Sequence, residues 1–194
     1  MAKMVKLNKT YHKQAANELM IAIDPSTGKT GNLGIAIFYK GDLKESGWIE
    51  IDDPSLPDFK RMREIAYLLH EDFKEYNFDL LVVEYMPSVK VRRNLAAMPY
   101  VLQSCITTSN YGEIHSTKWQ AMARYLMDWD KERHKSDEMD AVLIGLCAYL
   151  HLMGFPETAK LKTVKGQETA EELIRELGPK HNWWDIEDMK RKWK

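Results

Sequence analysis

Cysteine is nearly absent from this chain: two residues in 194, Cys105 and Cys147, each inside an apolar stretch and neither in a C-x-x-C pair. That excludes a disulfide framework and a zinc ribbon, and it points to a reduced, cytoplasmic compartment. No apolar run approaches the roughly 20 residues needed to cross a bilayer. The opening residues, MAKMVKLNKTYHKQAANE, hold no apolar signal core, so neither secretion nor a membrane partner is expected. The six histidines are scattered without an H-x-x-x-H pair, which leaves a zinc hydrolase without support. No serine stands in a G-x-S-x-G elbow. Gly28-Lys29-Thr30 suggests a phosphate loop, but the glycine required five residues earlier is Ile23.

A dominant sign of charge is lacking too. The net charge is −1, so any nucleic-acid contact must come from local patches. Residues 1–18 carry Lys3, Lys6, Lys9 and Lys13 against Glu18 alone, and residues 88–93 carry Lys90, Arg92 and Arg93 with no acid. Each patch taken singly reads better as solvated surface.

What is present is an α/β pattern in a chain long enough for one domain with a substantial core. Residues 19–23 are a continuous apolar run, the mark of a strand buried on both faces, and they end at the turn cluster Asp24-Pro-Ser-Thr-Gly28. Strands at 34–39 and 44–51 complete an antiparallel meander. Phe59, Met62, Ile65, Leu69, Phe73 and Tyr76 form one helical stripe, and Leu80-Leu-Val-Val83 is a second buried strand, ending at Glu84. A helix between two strands favours a parallel crossover. An apolar helix at 95–108, a strand at 111–115, a helix at 118–129 and a helix at 137–153 stopped by Gly154 and Pro156 follow. The expected organisation is a basic extension over 1–18, a core domain over 19–155, and a charged, Trp-rich appendage over 156–194 with a short helix at 168–177.

Four acids stand where acids are uncommon. Asp24 and Glu84 end the two buried strands, and catalytic groups of open α/β sheets gather at the carboxyl ends of parallel strands. If the strands are neighbours, the two carboxylates crowd each other, and a hard divalent cation relieves the repulsion. Asp137 and Asp140 share one face of the first turn of the last core helix, behind Ser136 as N-cap. Asp24 alone also reads as a turn residue, and Asp137 alone as a helix-start acid; the set of four is harder to explain that way.

These residues carry a resemblance. Met20-Ile-Ala-Ile-Asp24-Pro-Ser26 followed by Gly34-Ile-Ala-Ile resembles the opening of RuvC-type Holliday junction resolvases, members of the RNase H-like superfamily. Leu81-Val-Val-Glu84 is similar to their second acidic strand, Ser136-Asp137-Glu138-Met139-Asp140-Ala141 to their D-x-x-D-A motif, and Ile114-His-Ser-Thr-Lys-Trp119 to their strand and Lys-bearing turn. The likeness runs over about residues 19–153. It implies an RNase H-like fold, a mixed five-stranded sheet flanked by helices. It also implies that Asp24, Glu84, Asp137 and Asp140 hold two Mg²⁺ (or Mn²⁺) ions and that the chain nicks four-way DNA junctions in pairs, leaving 5′-phosphate and 3′-hydroxyl ends. Lys90, Arg92, Arg93, Lys118 and Lys135 are the candidate DNA contacts.

The chain departs from the family in an enlarged loop after Asp24 (Lys29-Thr30-Gly31-Asn32) and in a longer segment after Glu84 containing Pro87, and residues 1–18 and 156–194 have no counterpart in it, which points to a phage or otherwise divergent relative. Met86, Val89 and Val91 are candidates for the residue that probes the junction centre. A homodimer is expected from the near two-fold symmetry of the substrate. Its expected seam is Leu95, Met98, Leu102 and Cys105, broadened by Val101 and Ile106 and complicated by Pro99. Two alternatives stay open: an RNase H-type nuclease of RNA–DNA hybrids, and a non-catalytic branched-DNA-binding protein of the same fold. An actin-like kinase lobe begins similarly but needs a much longer chain.

Overall fold

The computed structural model describes residues 7, 9–25, 32–51, 56, 58–85, 93–127 and 136–182. Its elements are α1 (Lys9–Ala16), β1 (Leu19–Pro25), β2 (Leu33–Tyr39), β3 (Asp42–Ile49), α2 (Asp58–Phe73), β4 (Leu80–Tyr85), α3 (Arg93–Cys105), β5 (Tyr111–His115), α4 (Ser116–Met127), α5 (Asp137–Met153) and α6 (Val164–Leu177). The strands form one five-stranded mixed sheet in the order β3-β2-β1-β4-β5. The meander β1–β2–β3 is antiparallel, and β4 and β5 add to β1 in parallel. The expected mixed five-stranded sheet flanked by helices is the one found.

Both faces of the central strands are covered, which is why these strands read as unbroken apolar runs. Successive side chains alternate across a strand. Met20 and Ala22 of β1, Ala36 and Phe38 of β2, Leu80 and Val82 of β4, and Ile114 of β5 pack beneath α5. Ile21 and Ile23, Ile35 and Ile37, and Leu81 and Val83 pack on the opposite face against Ile65, Leu69 and Phe73 of α2 and Met98 and Leu102 of α3. The sheet is therefore the middle of three layers.

Helix α5 is the most buried helix. Every residue from Met139 to Leu152 is covered, so it shows little amphipathic stripe. Its ends are set by local chemistry. Ser136, with extended backbone, accepts a hydrogen bond from the Met139 N–H, and Gly154, at a φ of 116°, closes the other end by donating to the Leu150 and His151 carbonyls. Two glycines let the helix lie close to the sheet. A β-carbon on Gly145 would stand 2.2 Å from the Phe38 ring, and one on Gly34 would stand 1.8 Å from the Asp137 carbonyl oxygen.

Several expectations change at the level of packing. The seam expected to join two copies is internal where it is described: Met98, Leu102 and Ile106 are buried in this chain's own core, with Val101 and Cys105 partly covered beside them, and the Leu95 side chain lies outside the described residues. These residues complete the layer beneath the sheet, so they cannot serve as an exposed interface. Pro99 lies inside α3, which runs through it. The α2 stripe is shorter than expected, because Phe59 is 69% exposed while Ile65, Leu69 and Phe73 are buried. Tyr76 belongs to an aromatic cluster, stacked on Phe78 at 5.3 Å.

The segments on either side of residues 19–155 share the core beneath α5. Ala15 and Ala16 of α1, Leu161, and Ala170 of α6 belong to the same buried cluster as β1 and α5. The chain then crosses to the edge strand, where Asn182 donates from Nδ2 to the Leu43 carbonyl at 2.8 Å and accepts at Oδ1 from the Leu43 N–H at 3.0 Å.

The Gly145–Phe38 contact yields a direct test. Gly145→Ala should cost about 1–3 kcal/mol by overpacking, measured by urea denaturation. Combining it with Phe38→Leu should recover part of that loss, giving a favourable coupling energy in a double-mutant cycle; additive losses would contradict the packing described.

Candidate functional site

The carboxyl ends of β1 and β4 are neighbours. The parallel register pairs Ile23 with Val83, so the next residues, Asp24 and Glu84, stand level on adjoining strands about 4.8 Å apart. Alternation sends both side chains to the α5 face, following Met20 and Ala22 on β1 and Leu80 and Val82 on β4. Both acids are buried, at 4% and 6% exposure.

The first turn of α5 closes over this corner. Gly34 is the register partner of Asp24 across β1 and β2, and the Asp137 carbonyl lies against its α-carbon. A side chain at position 34 would hold the helix off the sheet. Asp140, one turn along, is 4% exposed, and its N–H donates to the Ser136 carbonyl at 2.9 Å. The helix N-terminus favours these acids electrostatically. Glu138 turns to the other side and accepts from Ser46 Oγ at 2.6 Å, tying α5 to β3. The fold thus brings Asp24, Glu84 and the first turn of α5 to one corner of the sheet. Among the described residues, no group of three or more His, Cys, Asp or Glu is arranged to hold a metal ion. The donor set at the corner consists of carboxylate oxygens alone, the kind that suits a hard divalent cation.

Of the basic candidates, Lys90, Arg92 and Lys135 lie outside the described residues, as do Met86, Val89 and Val91. Arg93 begins α3, but its side chain also falls outside the description. Lys118 is described, and it has protein partners. Its Nζ stands 3.0 Å from His151 Nε2 and donates to Glu157 Oε1 at 3.2 Å. An ammonium can only donate, so Nε2 is the acceptor and the neutral imidazole carries its proton on Nδ1. His151 is 3% exposed. Burial first, then the charges of Lys118 and Lys9, pull its imidazole down to about 4. Burial works against the charge on Glu157, but the Lys118 hydrogen bond and charge hold its carboxyl below the usual range.

Lys118, His151 and Glu157 line a pocket of about 620 Å³ that continues to Tyr85, Ile114, His115 and Glu113. Ile114 is the register partner of Glu84, so this pocket begins one strand away from the acidic corner. Glu113 is buried in β5 and accepts from the Tyr111 hydroxyl at 2.7 Å; burial pushes its carboxyl up. Sequence reasoning missed Glu113, His151 and Glu157. Tyr111-x-Glu113-x-His115, polar groups at every second position of an apolar strand, was the available signal for Glu113. His151 in an apolar helix carried none.

No protein-family model matches the chain, and no curated relative does. Solved structures do. RuvC of Thermus thermophilus in complex with a Holliday junction substrate superposes with a TM-score of 0.48 at 18% identity, over 71% of this chain and 96% of that one. Another Thermus thermophilus RuvC structure gives 0.44 at 19% identity, over 72% and 98%.

Two measurements probe this region. Gly34→Ala should cost about 1–3 kcal/mol and shift the backbone amide resonances of residues 24 and 137–140 while leaving those of α2 in place. A variant with unchanged stability and spectra would show that α5 does not lie on Gly34. The second concerns pH. An unfolded histidine takes up its proton near 6.5, whereas His151 in the folded chain stays neutral to about 4. Its contribution to stability is therefore complete above about 6.5 and is lost as the pH falls towards 4. Melting temperature should drop more steeply between pH 7 and 4 in the wild type than in His151→Gln; parallel curves would mean that His151 titrates normally.

Proposed function

We propose that this chain is a divalent-metal-dependent, structure-selective DNA endonuclease that resolves four-way junctions by paired nicks. The observation that carries the reading is the placement of Asp24 and Glu84, buried and level on adjoining parallel strands, beneath the acid-bearing first turn of α5. Burying two carboxylates side by side is costly without a compensating cation. Asp24 and Glu84 are also the acids of two of the motifs that carry the family resemblance.

Asp24, Glu84, Asp137 and Asp140 would hold two Mg²⁺ or Mn²⁺ ions, which supply Lewis acidity and an activated water for phosphodiester hydrolysis. The chain's own residues set the geometry of that chemistry. The parallel register of β1 and β4 fixes the spacing of Asp24 and Glu84, and Gly34 admits the first turn of the helix that carries Asp137 and Asp140. Water attacks phosphorus, the P–O3′ bond breaks, and the leaving oxygen takes up a proton, so the products carry 5′-phosphate and 3′-hydroxyl ends. Lys90, Arg92, Arg93, Lys118 and Lys135 would contact backbone phosphates and orient the strand without reading its sequence. Two copies acting as a homodimer would cut the two strands symmetrically, through a surface other than the buried Met98 and Leu102.

Cleavage of a mobile four-way junction compared with an RNA–DNA hybrid, with and without Mg²⁺, tests the substrate. Junction-specific, Mg²⁺-dependent nicking is expected. Preferential hybrid cleavage would make this an RNase H-type enzyme, and binding without cleavage in any metal would make it a branched-DNA-binding protein. Asp24→Asn should lose more than about 100-fold in rate, since even losses around metal ligands cost 10–100-fold. Junction affinity should be retained. Titration calorimetry with Mn²⁺ should show the same variant losing metal. Near wild-type cleavage by Asp24→Asn would remove Asp24 from the mechanism.

A further inference from the structure

Of the group Lys9, Lys118, His151 and Glu157, only Lys118 enters the reading above, and the arrangement of the four is unusual. Two lysines and a buried imidazole N–H converge on one carboxylate. Lys118 holds Glu157 at 3.2 Å, and Lys9, which donates to the Phe155 carbonyl at 3.3 Å, adds its charge from two residues away. His151 Nδ1 points the same way but stands 3.8 Å from the nearer Glu157 oxygen, beyond hydrogen-bonding distance, and it has no hydrogen-bond partner among the described residues. A buried N–H left short of an acceptor is uncommon. Here the residue that carries it, His151, lines a pocket of about 620 Å³ whose other lining residues lead to Glu84's register partner, Ile114.

The carboxylate is easily displaced. The Glu157 side chain is 51% exposed and sits in the irregular segment after α5, whereas His151 is anchored in the most buried helix. Exposed ion pairs of this kind contribute little and exchange readily. The carboxylate satisfies Lys118 but falls short of Nδ1. A phosphodiester presents two unesterified oxygens on a tetrahedral centre, enough to accept from Lys118 and from His151 Nδ1 together. Glu113 borders the pocket, and its carboxyl is shifted towards the neutral form, which weakens its repulsion of an anion.

We infer that Lys118, Lys9 and His151 Nδ1–H form a seat for a DNA backbone phosphate, that Glu157 occupies this seat in the free protein, and that the substrate strand displaces it. The inference rests on the nuclease reading for the identity of the strand. Glu157 is thus an internal competitor for substrate, supplied by a segment outside the region of family resemblance.

The test follows the ring nitrogens of His151 in ¹⁵N-histidine-labelled full-length protein during titration with inorganic phosphate and, separately, with a thymidine dodecamer. Both titrations should shift the His151 Nδ1 signal. Glu157→Gln should tighten each by about two- to fivefold. Glu172→Gln, which removes an equal charge from α6, should change neither by as much, and Lys118→Met should abolish the shift in both. An unmoved His151, or Glu157→Gln binding no more tightly than Glu172→Gln, overturns the proposal. A response to phosphate but not to the dodecamer overturns its assignment to DNA. The two readings fail separately. A protein that cuts junctions with His151 unmoved refutes the phosphate seat alone, and one that binds phosphate and dodecamer there but cleaves nothing retains the seat and loses the nuclease.

Discussion

The close seating of α5 on the sheet is the constraint from which the rest of this structure follows. A helix buried from Met139 to Leu152 must lie within side-chain reach of β1 and β2 along its whole length. Gly145 admits the Phe38 ring halfway along, and Gly34 admits the Asp137 carbonyl at the start. With those contacts made, the first turn of the helix has one place to go, over the carboxyl end of β1. Glu138 adds a lateral tie through Ser46. The corner where Asp24 and Glu84 stand level beneath the first turn of α5 is thus a by-product of core packing.

The same helix links two polar regions of opposite character. At its start lies a cluster of acids under a helix N-terminus, and near its end His151 meets Lys118 and Glu157. Because α5 crosses the core as one rigid element, the spacing between the regions is fixed. The pocket along β5 leads from the second towards the first.

Some of this was legible in the sequence. The interior strands announced themselves because a strand covered on both faces must be apolar at every position, as 19–23 and 80–83 are. Ser136 and Gly154 marked the ends of α5 by local backbone chemistry alone. Other features were ambiguous for a stated physical reason. The stripe through Met98 and Leu102 is the same whether a helix packs on its own sheet or on another chain, and it packs on the sheet. Helix α1 escaped notice because alanines and a buried His12 cover it where a long apolar side chain would have signalled a core face.

The sequence by itself determined the elements over residues 19–153, their order, and the positions of four acids at strand and helix ends, because each depends on residues near one another in the chain. Only the tertiary structure decided which faces are internal, that β4 lies beside β1 so that Asp24 and Glu84 stand level, and that Lys118 meets His151 and Glu157. Those are contacts across 60, 33 and 39 positions of the chain. They arise from the way three layers close on one another, and closure depends on the summed shape of a core rather than on any local run of residues.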